Sequence, residues 1–395
     1  MDHHTPGERV RSARKRRGMT QRELAGAAGL ALITVKKIEQ GAYGSMRLET
    51  VRRLAVALGV PTSALRGDEP DAPVPAPDSV QQWEPVRRAI DGEHGEEPAE
   101  EPTLEGLRSA FGAVTLLLLG GQLAETGTVL PALLRDADAL AALAPAPLGS
   151  GALTLRSQIR QVAGSLMLHV WQFAAAERAF DLALEDASDL LTAASVTEER
   201  CWGLIRQGRL AETMELAFRW ADDTEPKVSR ASRDELAAWG RLLVRASAAA
   251  IRDNRPDEAE AALRLARMAA LGARRDFLLP YSPWHVFGPG PVAVTMAEHA
   301  AIEGRPEPVL EIGRRLEGTR VMRFAPSCRL DVAQAHAMLR HDHEAVGVLQ
   351  ELRTERPEWL AHQRHAADIL QMMIRRRRSL TTEMRELADA VSLPL

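Results

Sequence analysis

Residues 29–41, GLALITVKKIEQG, decide how the head of this chain folds. Val35 and Ile38 stand three apart and can share one buried face of a helix, which turns Ile33, Thr34, Lys36 and Lys37 outward. Two lysines beside the bare aliphatics Leu32 and Ile33 make a poor face for water, so the face suits some other surface. Just upstream, MTQRELAGAAG places Thr20 as an N-cap with Glu23 three residues on, the spacing of a capping box. The helix so opened buries Leu24, Ala25 and Ala28 and stops at Gly29. A helix, a tight glycine turn and a basic helix have helix-turn-helix spacing.

Outward from this pair, a first helix from about Gly7 to Arg17 buries Val10 and Ala13 and ends at Gly18. LETVRRLAVALG gives a fourth helix burying Leu48, Val51, Leu54 and Leu58, and a fifth begins at Pro61, which suits a first helical turn. Residues 1–67 hold thirteen Lys and Arg against five Asp and Glu, an excess of +8 in a chain whose net charge is −4. A basic head on an acidic body meets a polyanion through the head alone. Charge leaves nucleic acid and anionic membrane both open; the helix spacing favours nucleic acid.

The stretch from Met19 to Val60 resembles the Xre/Cro-type helix-turn-helix, with glutamine, leucine, alanine, glycine, valine, isoleucine and glutamate at that family's positions. The resemblance implies that Gln21 opens the second helix and holds a phosphate, and that Leu32, Ile33, Lys36 and Lys37 face the major groove. Thr34 shares that face. Lysines there reach phosphates or guanine acceptors, and aliphatics touch thymine methyls; a dimer or inter-domain contact is the other use for Leu32 and Ile33. Arg47, and Arg9, Arg11 or Arg14, are candidates to clamp backbone phosphate. One departure stands out: Ala31 occupies an N-cap where the family commonly has Ser or Thr, a loss of about 1 kcal/mol of capping.

At 395 residues the chain is long enough for two or three domains. A 45% apolar content with only 4% aromatics, rich in Ala and Leu, favours helices packed through small contacts, an all-α protein. Cys201 and Cys328 are far apart and form no disulfide or zinc pattern. No signal-peptide pattern is present, and the apolar run Ala113–Leu119 is far short of the roughly 20 residues of a membrane span. A soluble, cytoplasmic protein is expected. After the head, 1–66, comes a proline- and acid-rich linker, 67–102, with eleven acids and two arginines from Asp68 to Pro102. It carries a short amphipathic piece that can dock through Trp83, Val86 and Ile90. The body, 103–395, is a helical array.

Six segments of the body repeat a polar turn followed by small or apolar residues at i, i+4 and i+7, starting at Thr126, Ala176, Met214, Ala259, Val309 and Ala345. Twelve residues before each lies another position of this kind: Val114, Gly164, Trp202, Ser247, Ala297 and Ala333. The pattern is similar to tetratricopeptide repeats, which stack helical hairpins into an α-solenoid with a concave face. The tail from Glu358 caps the last hairpin. The whole chain resembles actinobacterial regulators with an Xre-type head and a tetratricopeptide-like body, through WEPVRRAI, RQGRLAET, FGPGPVAV and RRRRSLTTEMRELADAVSLPL among others. That resemblance implies control of transcription.

No phosphate-binding loop, HExxH, GxSxG or zinc pattern stands out, so neither an enzyme nor a cofactor is expected. The concave face is the expected sensor. Trp202, Arg206, Trp239, Arg245, Tyr281, Trp284 and His285 combine aromatic bulk with polar tips, as ligand pockets do; His169, His299 and Arg329 are lesser candidates. Trp284, in an insertion that breaks the repeat, is the leading one. The expected partners are a DNA operator bound by a homodimer and an effector, either a small metabolite or a peptide. Peptide-pheromone (quorum-sensing) regulators share this layout but commonly grip peptide with asparagines, and this chain has one, Asn254. A protein partner in place of a small ligand stays open.

Overall fold

The computed structural model describes residues 5–42, 46–66, 81–95, 98, 100–143, 148–227 and 229–394. Among the described residues it is 76% helical, with 22 helices and one two-stranded hairpin, so the chain is nearly all-α. Of the expected linker, 67–102, residues 67–80, 96, 97 and 99 lie outside the described residues.

The head is five helices: α1 (Pro6–Arg16), α2 (Gln21–Ala27), α3 (Leu32–Glu39), α4 (Leu48–Leu58) and α5 (Thr62–Arg66). Capping boxes open the first two, Thr5 with Glu8 and Thr20 with Glu23, each satisfying two otherwise orphaned N–H groups. Val10, Leu24, Val35, Val51, Leu54 and Leu65 meet in one sealed core. Gly7 is obligatory for that packing, because a Cβ there would strike the Ile38 carbonyl where α1 crosses α3. Leu48, expected in the core, is only half-buried, and Ala55 takes the buried place two turns on.

The short helix α6 (Glu84–Ile90) buries Trp83, Val86 and Ile90 in the same core as the first hairpins, as its amphipathic pattern suggested. Six hairpins follow. They are α7 (Leu104–Gly120) with α8 (Leu123–Leu143), α9 (Leu148–His169) with α10 (Phe173–Asp186), and α11 (Leu190–Gln207) with α12 (Leu210–Asp223). Next come α13 (Arg233–Arg252) with α14 (Pro256–Ala273), and α15 (Pro289–Ile302) with α16 (Pro306–Leu316). The last, after the short α17 (Arg320–Phe324), is α18 (Pro326–Met338) with α19 (Asp342–Glu355). The repeat positions read from sequence fall on the second helix of each pair, and Thr126, Ala176, Met214, Ala259, Val309 and Ala345 are all buried. Small residues let the paired helices close up: a Cβ on Gly164 would enter the Phe180 ring.

All six hairpin turns are built alike. Gly121, Trp171, Gly208, Asn254, Gly304 and Arg340 each adopt a positive φ, and the next N–H bonds five residues back, as from Gln122 to Leu117 and from Gln172 to Met167. This is the Schellman end of a helix, which satisfies carbonyls that would otherwise be orphaned.

One feature departs from the sequence reading. Residues 277–287, expected as an irregular insertion, pair as an antiparallel hairpin of β1 (Phe277–Leu279) and β2 (Ser282–Phe287). Gly288 caps the start of α15, and the Asp276 carboxylate accepts the Gly290 N–H at 2.8 Å. The final helices α20 (Pro357–Ala361), α21 (Arg364–Ile374) and α22 (Thr382–Ala390) cap the last hairpin as expected, through Trp359, Ile369, Met373 and Leu387.

They also reach the first hairpins. Glu358 accepts the Ala124 N–H at 2.7 Å, Arg356 donates to the Leu119 carbonyl, and the Trp171 indole N–H donates to the His362 carbonyl at 3.2 Å. The solenoid therefore closes on itself. The head is docked too: the α13–α14 turn supplies Asp253, whose carboxylate accepts the Ser63 N–H at 2.7 Å and the Ser63 hydroxyl at 3.0 Å. The Asp253 carbonyl accepts from Thr62 N–H, and the Asn254 amide donates to the Val60 carbonyl at 3.0 Å.

Candidate nucleic-acid interface and effector site

The outer face of α3 is set by what lies beneath it. Val35 and Ile38 anchor the helix in the head core. Glu39, at its end, is held by Arg14 through Nε at 2.6 Å and Nη2 at 2.9 Å, and by the Gln21 amide at 2.8 Å. Burial works against the Glu39 carboxylate, but these hydrogen bonds and the Arg14 charge outweigh it and hold its pKa below the ordinary value. One carboxylate thus ties α1, α2 and α3 together. Above it Lys36 and Lys37 are exposed and Ile33 is 59% exposed. Leu32 and Thr34 are half-buried, Leu32 packing against the core, so the bare aliphatic is Ile33. Ala31 forms no side-chain cap.

Two candidate phosphate ligands are otherwise engaged. Arg14 is committed to Glu39 and to the Met19 carbonyl, so it is a structural residue of the head. Gln21 gives its amide to the same carboxylate. Arg47 stays exposed, beside Asp368 of the body at 3.3 Å.

The expected effector residues separate into a core set and two polar clusters. Trp239 and Tyr281 are buried in the core around α13, and the Tyr281 hydroxyl donates to the Asp234 carbonyl at 3.2 Å. Trp284 is 6% exposed, with its ring edge-on to Phe111 of α7 at 5.8 Å. It pins β2 to the first hairpin rather than plugging an open pocket. Sequence could not place it, because its partner lies far away in the chain.

The first cluster surrounds Glu198 and Glu199 of α11. Arg241 and Arg245 both contact Glu198, Arg245 at 2.5 Å, and their charges overcome burial to keep it ionised. His285 Nε2 lies 2.6 Å from Glu199, while its Nδ1 meets the Ser282 hydroxyl at 2.8 Å. Burial first, and Arg241 second, lower the His285 pKa, so a neutral ring donating to Glu199 fits both contacts. Glu198, Glu199 and His285 have metal-ligand proximity, but two guanidiniums already on Glu198 disfavour a cation there.

The second cluster is one to two turns further along α11. Arg206 lies 4.4 Å from the Trp171 ring centre and 5.1 Å from that of Trp202; Arg364 lies 5.0 Å from Trp171. His169 meets the Trp202 edge at 5.1 Å. Burial pushes the Arg206 pKa down to about 10 and that of His169 to about 3. Of the lesser candidates, His299 is bonded to Ser247, and Arg329 is paired with Glu351 and Glu355. Trp171, Glu198, Glu199 and Arg364 escaped the sequence reading. Trp171 carried a signal: it fills a turn position where three other hairpins have glycine.

A shallow cavity of about 320 Å³ lies at the other end of α11, lined by Leu190, Leu191, Asp223, Pro226, Lys227 and Arg230. It is about 18 Å along the helix from Trp202.

Residues 10–65 match the helix-turn-helix family. The head is therefore a helix-turn-helix of DNA-binding type, and the protein is a DNA-binding regulator. The crystal structure of Bacillus thuringiensis PlcR in complex with the peptide PapR7 and DNA is similar at 11% identity, over 87% of this chain and 98% of that one, with a TM-score of 0.37. So loose a likeness says nothing of ligand or partner. Among curated proteins, nothing matches. No helix among the described residues is long and apolar enough to cross a membrane.

Proposed function

We propose that the chain is a sequence-specific transcription regulator that reads a pseudo-palindromic operator as a homodimer. In this reading residues 1–66 bind DNA, the 67–102 segment tethers them while its helix α6 docks on the body, and 103–395 form a sensor whose effector, a small metabolite or a peptide, alters operator affinity. The observation that carries it is the exposed face of α3, where Ile33, Lys36 and Lys37 stand on a helix fixed from below by Val35, Ile38 and Glu39. Lysines reach phosphates or guanine acceptors, and the isoleucine reaches a thymine methyl. One short helix reads few base pairs, so a second copy supplies the other half-site about 34 Å away. A regulator of this kind works in the cytoplasm, on the chromosome.

Docking of α5 on the Asp253 turn supports the sensing half of the reading, since movement of the solenoid would carry the head with it. A tenfold change in operator affinity needs about 1.4 kcal/mol of effector preference for one geometry. A protein partner is favoured by a separate observation: Leu265, Met268 and Leu271 of α14 are exposed along one face, with Leu278 of β1 also exposed.

The test is Lys36→Ala with Lys37→Ala. Genome-wide mapping of bound DNA supplies the operator, and the double variant should lose specific binding with helicity unchanged. Unaltered operator affinity would sink the assignment of α3.

A further inference from the structure

Arg206 is unlike the other buried arginines of this protein. Arg14 gives its Nε and Nη2 edge to Glu39, and Arg156 gives the same edge to Asp186 at 2.7 and 2.6 Å. That edge is the planar fork that matches the two oxygens of a carboxylate. In Arg206 the same two atoms, Nε and Nη2, are buried without a hydrogen-bond partner. No ion pair among the described residues reaches this guanidinium, and a second one, Arg364, shares the Trp171 ring with it. The nearby histidines, His169 and His362, are both driven toward the neutral form, first by burial and then by the Arg206 charge. His169 Nδ1 is also unpartnered. Glu199, the carboxylate whose charge reaches His169, is bonded to His285.

Trp171 supplies an independent observation. It holds φ 64° in a turn position that three sister hairpins fill with glycine. A bulky residue seldom adopts that conformation, and here it sets an indole beside two guanidiniums. The Trp171 N–H is also one of the bonds that close the solenoid, through the His362 carbonyl.

We propose that this cluster is the effector's carboxylate site, with the Nε and Nη2 edge of Arg206 receiving the acid and the indoles of Trp171 and Trp202 flanking its flat body. The proposal rests on the effector-sensing reading above and names the chemical class: an aromatic acid. The edge is sealed in this geometry, so entry parts Trp171 from His362 and loosens the closure, which couples binding to solenoid shape. Neutral histidines supply hydrogen bonds without a competing charge, and an incoming carboxylate would neutralise a buried cation that the protein leaves unpaired.

The experiment uses the full chain without DNA, so that a failed operator search refutes the regulator while a failed acid selectivity refutes this site. Benzoate and indole-3-acetate are compared with benzamide and indole-3-acetamide by thermal shift and tryptophan fluorescence. The acids should bind at least about tenfold tighter than their amides, because a charge-assisted bidentate pair replaces a single neutral contact. Arg206→Met should bring that ratio to about one. Arg206→Lys should give an intermediate ratio, keeping the charge but losing the fork. Equal binding of acids and amides by the wild type overturns the proposal without recourse to any variant, as does an unchanged ratio in Arg206→Met.

Discussion

Asp253→Ala tests whether the head and body act as one piece. Asp253 is fully buried, and its carboxylate accepts two bonds from Ser63, at 2.7 Å from the N–H and 3.0 Å from the hydroxyl. Arg255 Nε adds a third contact at 2.9 Å. Hydrogen bonds to a charged acceptor contribute about 1.5–3 kcal/mol each. The two to Ser63 share one residue, so their joint loss should cost docking about 2–4 kcal/mol. At 1.4 kcal/mol per decade this weakens head docking between about thirtyfold and several hundredfold. The Asp253 carbonyl and Asn254 still bond Thr62 and Val60, so the loss is of rigidity rather than of fold. Hydrogen exchange of the amides from Thr62 to Leu65 reads this directly, with α13 and α14 as internal controls. A double-mutant cycle with Ser63→Ala should show strong coupling. Additive effects, or unchanged exchange in α5, would refute a mechanical link from solenoid to head.

Trp284→Ala should destabilise the body by about 3–5 kcal/mol, the range for emptying a large aromatic site in a core. A wild-type melting temperature would return Trp284 to the role of pocket residue. Glu39 has a folded pKa below its unfolded one, so its contribution is full above the unfolded value and is lost as pH falls through the folded value. Glu39→Gln should therefore lower stability at neutral pH and flatten the acid limb of the head's stability curve below about pH 4.5. A variant that keeps the wild-type pH profile would show that Arg14 and Gln21 do not hold a charge there.

Local chemistry was the legible part of this protein. Thr20 and Glu23 form the expected capping box, because both partners lie within four residues and the bond is fixed by helix geometry. The repeat positions were readable for a similar reason: a hairpin buries small residues at helical spacing, as at Ala176 and Ala259. What the sequence concealed depends on long-range pairing. Arg14 looked like a phosphate clamp until Glu39, 25 residues away, was seen to hold it. Trp284 looked like the leading pocket residue because Phe111, the ring it packs on, lies in a different hairpin. Of the expected pocket, Trp202 and Arg206 share one cluster because they stand four apart on α11, whereas Trp239 and Tyr281 were claimed by the core. The docking turn was hidden too, since Asp253 and Asn254 read as ordinary hairpin polar residues.

The closure between Glu358 and Ala124 has a consequence for how this body comes apart. An open array of repeats behaves as a one-dimensional chain, in which terminal units fray first and units can be added or removed at modest cost. Here the two ends are each other's neighbours, across 234 residues of sequence for the Glu358–Ala124 bond. Neither end is free to fray alone, and a hairpin inserted or deleted would leave the seam out of register. The seam also carries the longest loop-closure entropy of the body, so it should form last in folding and open first under stress. Repeat number in such a ring is fixed by geometry, as the number of staves is fixed in a barrel.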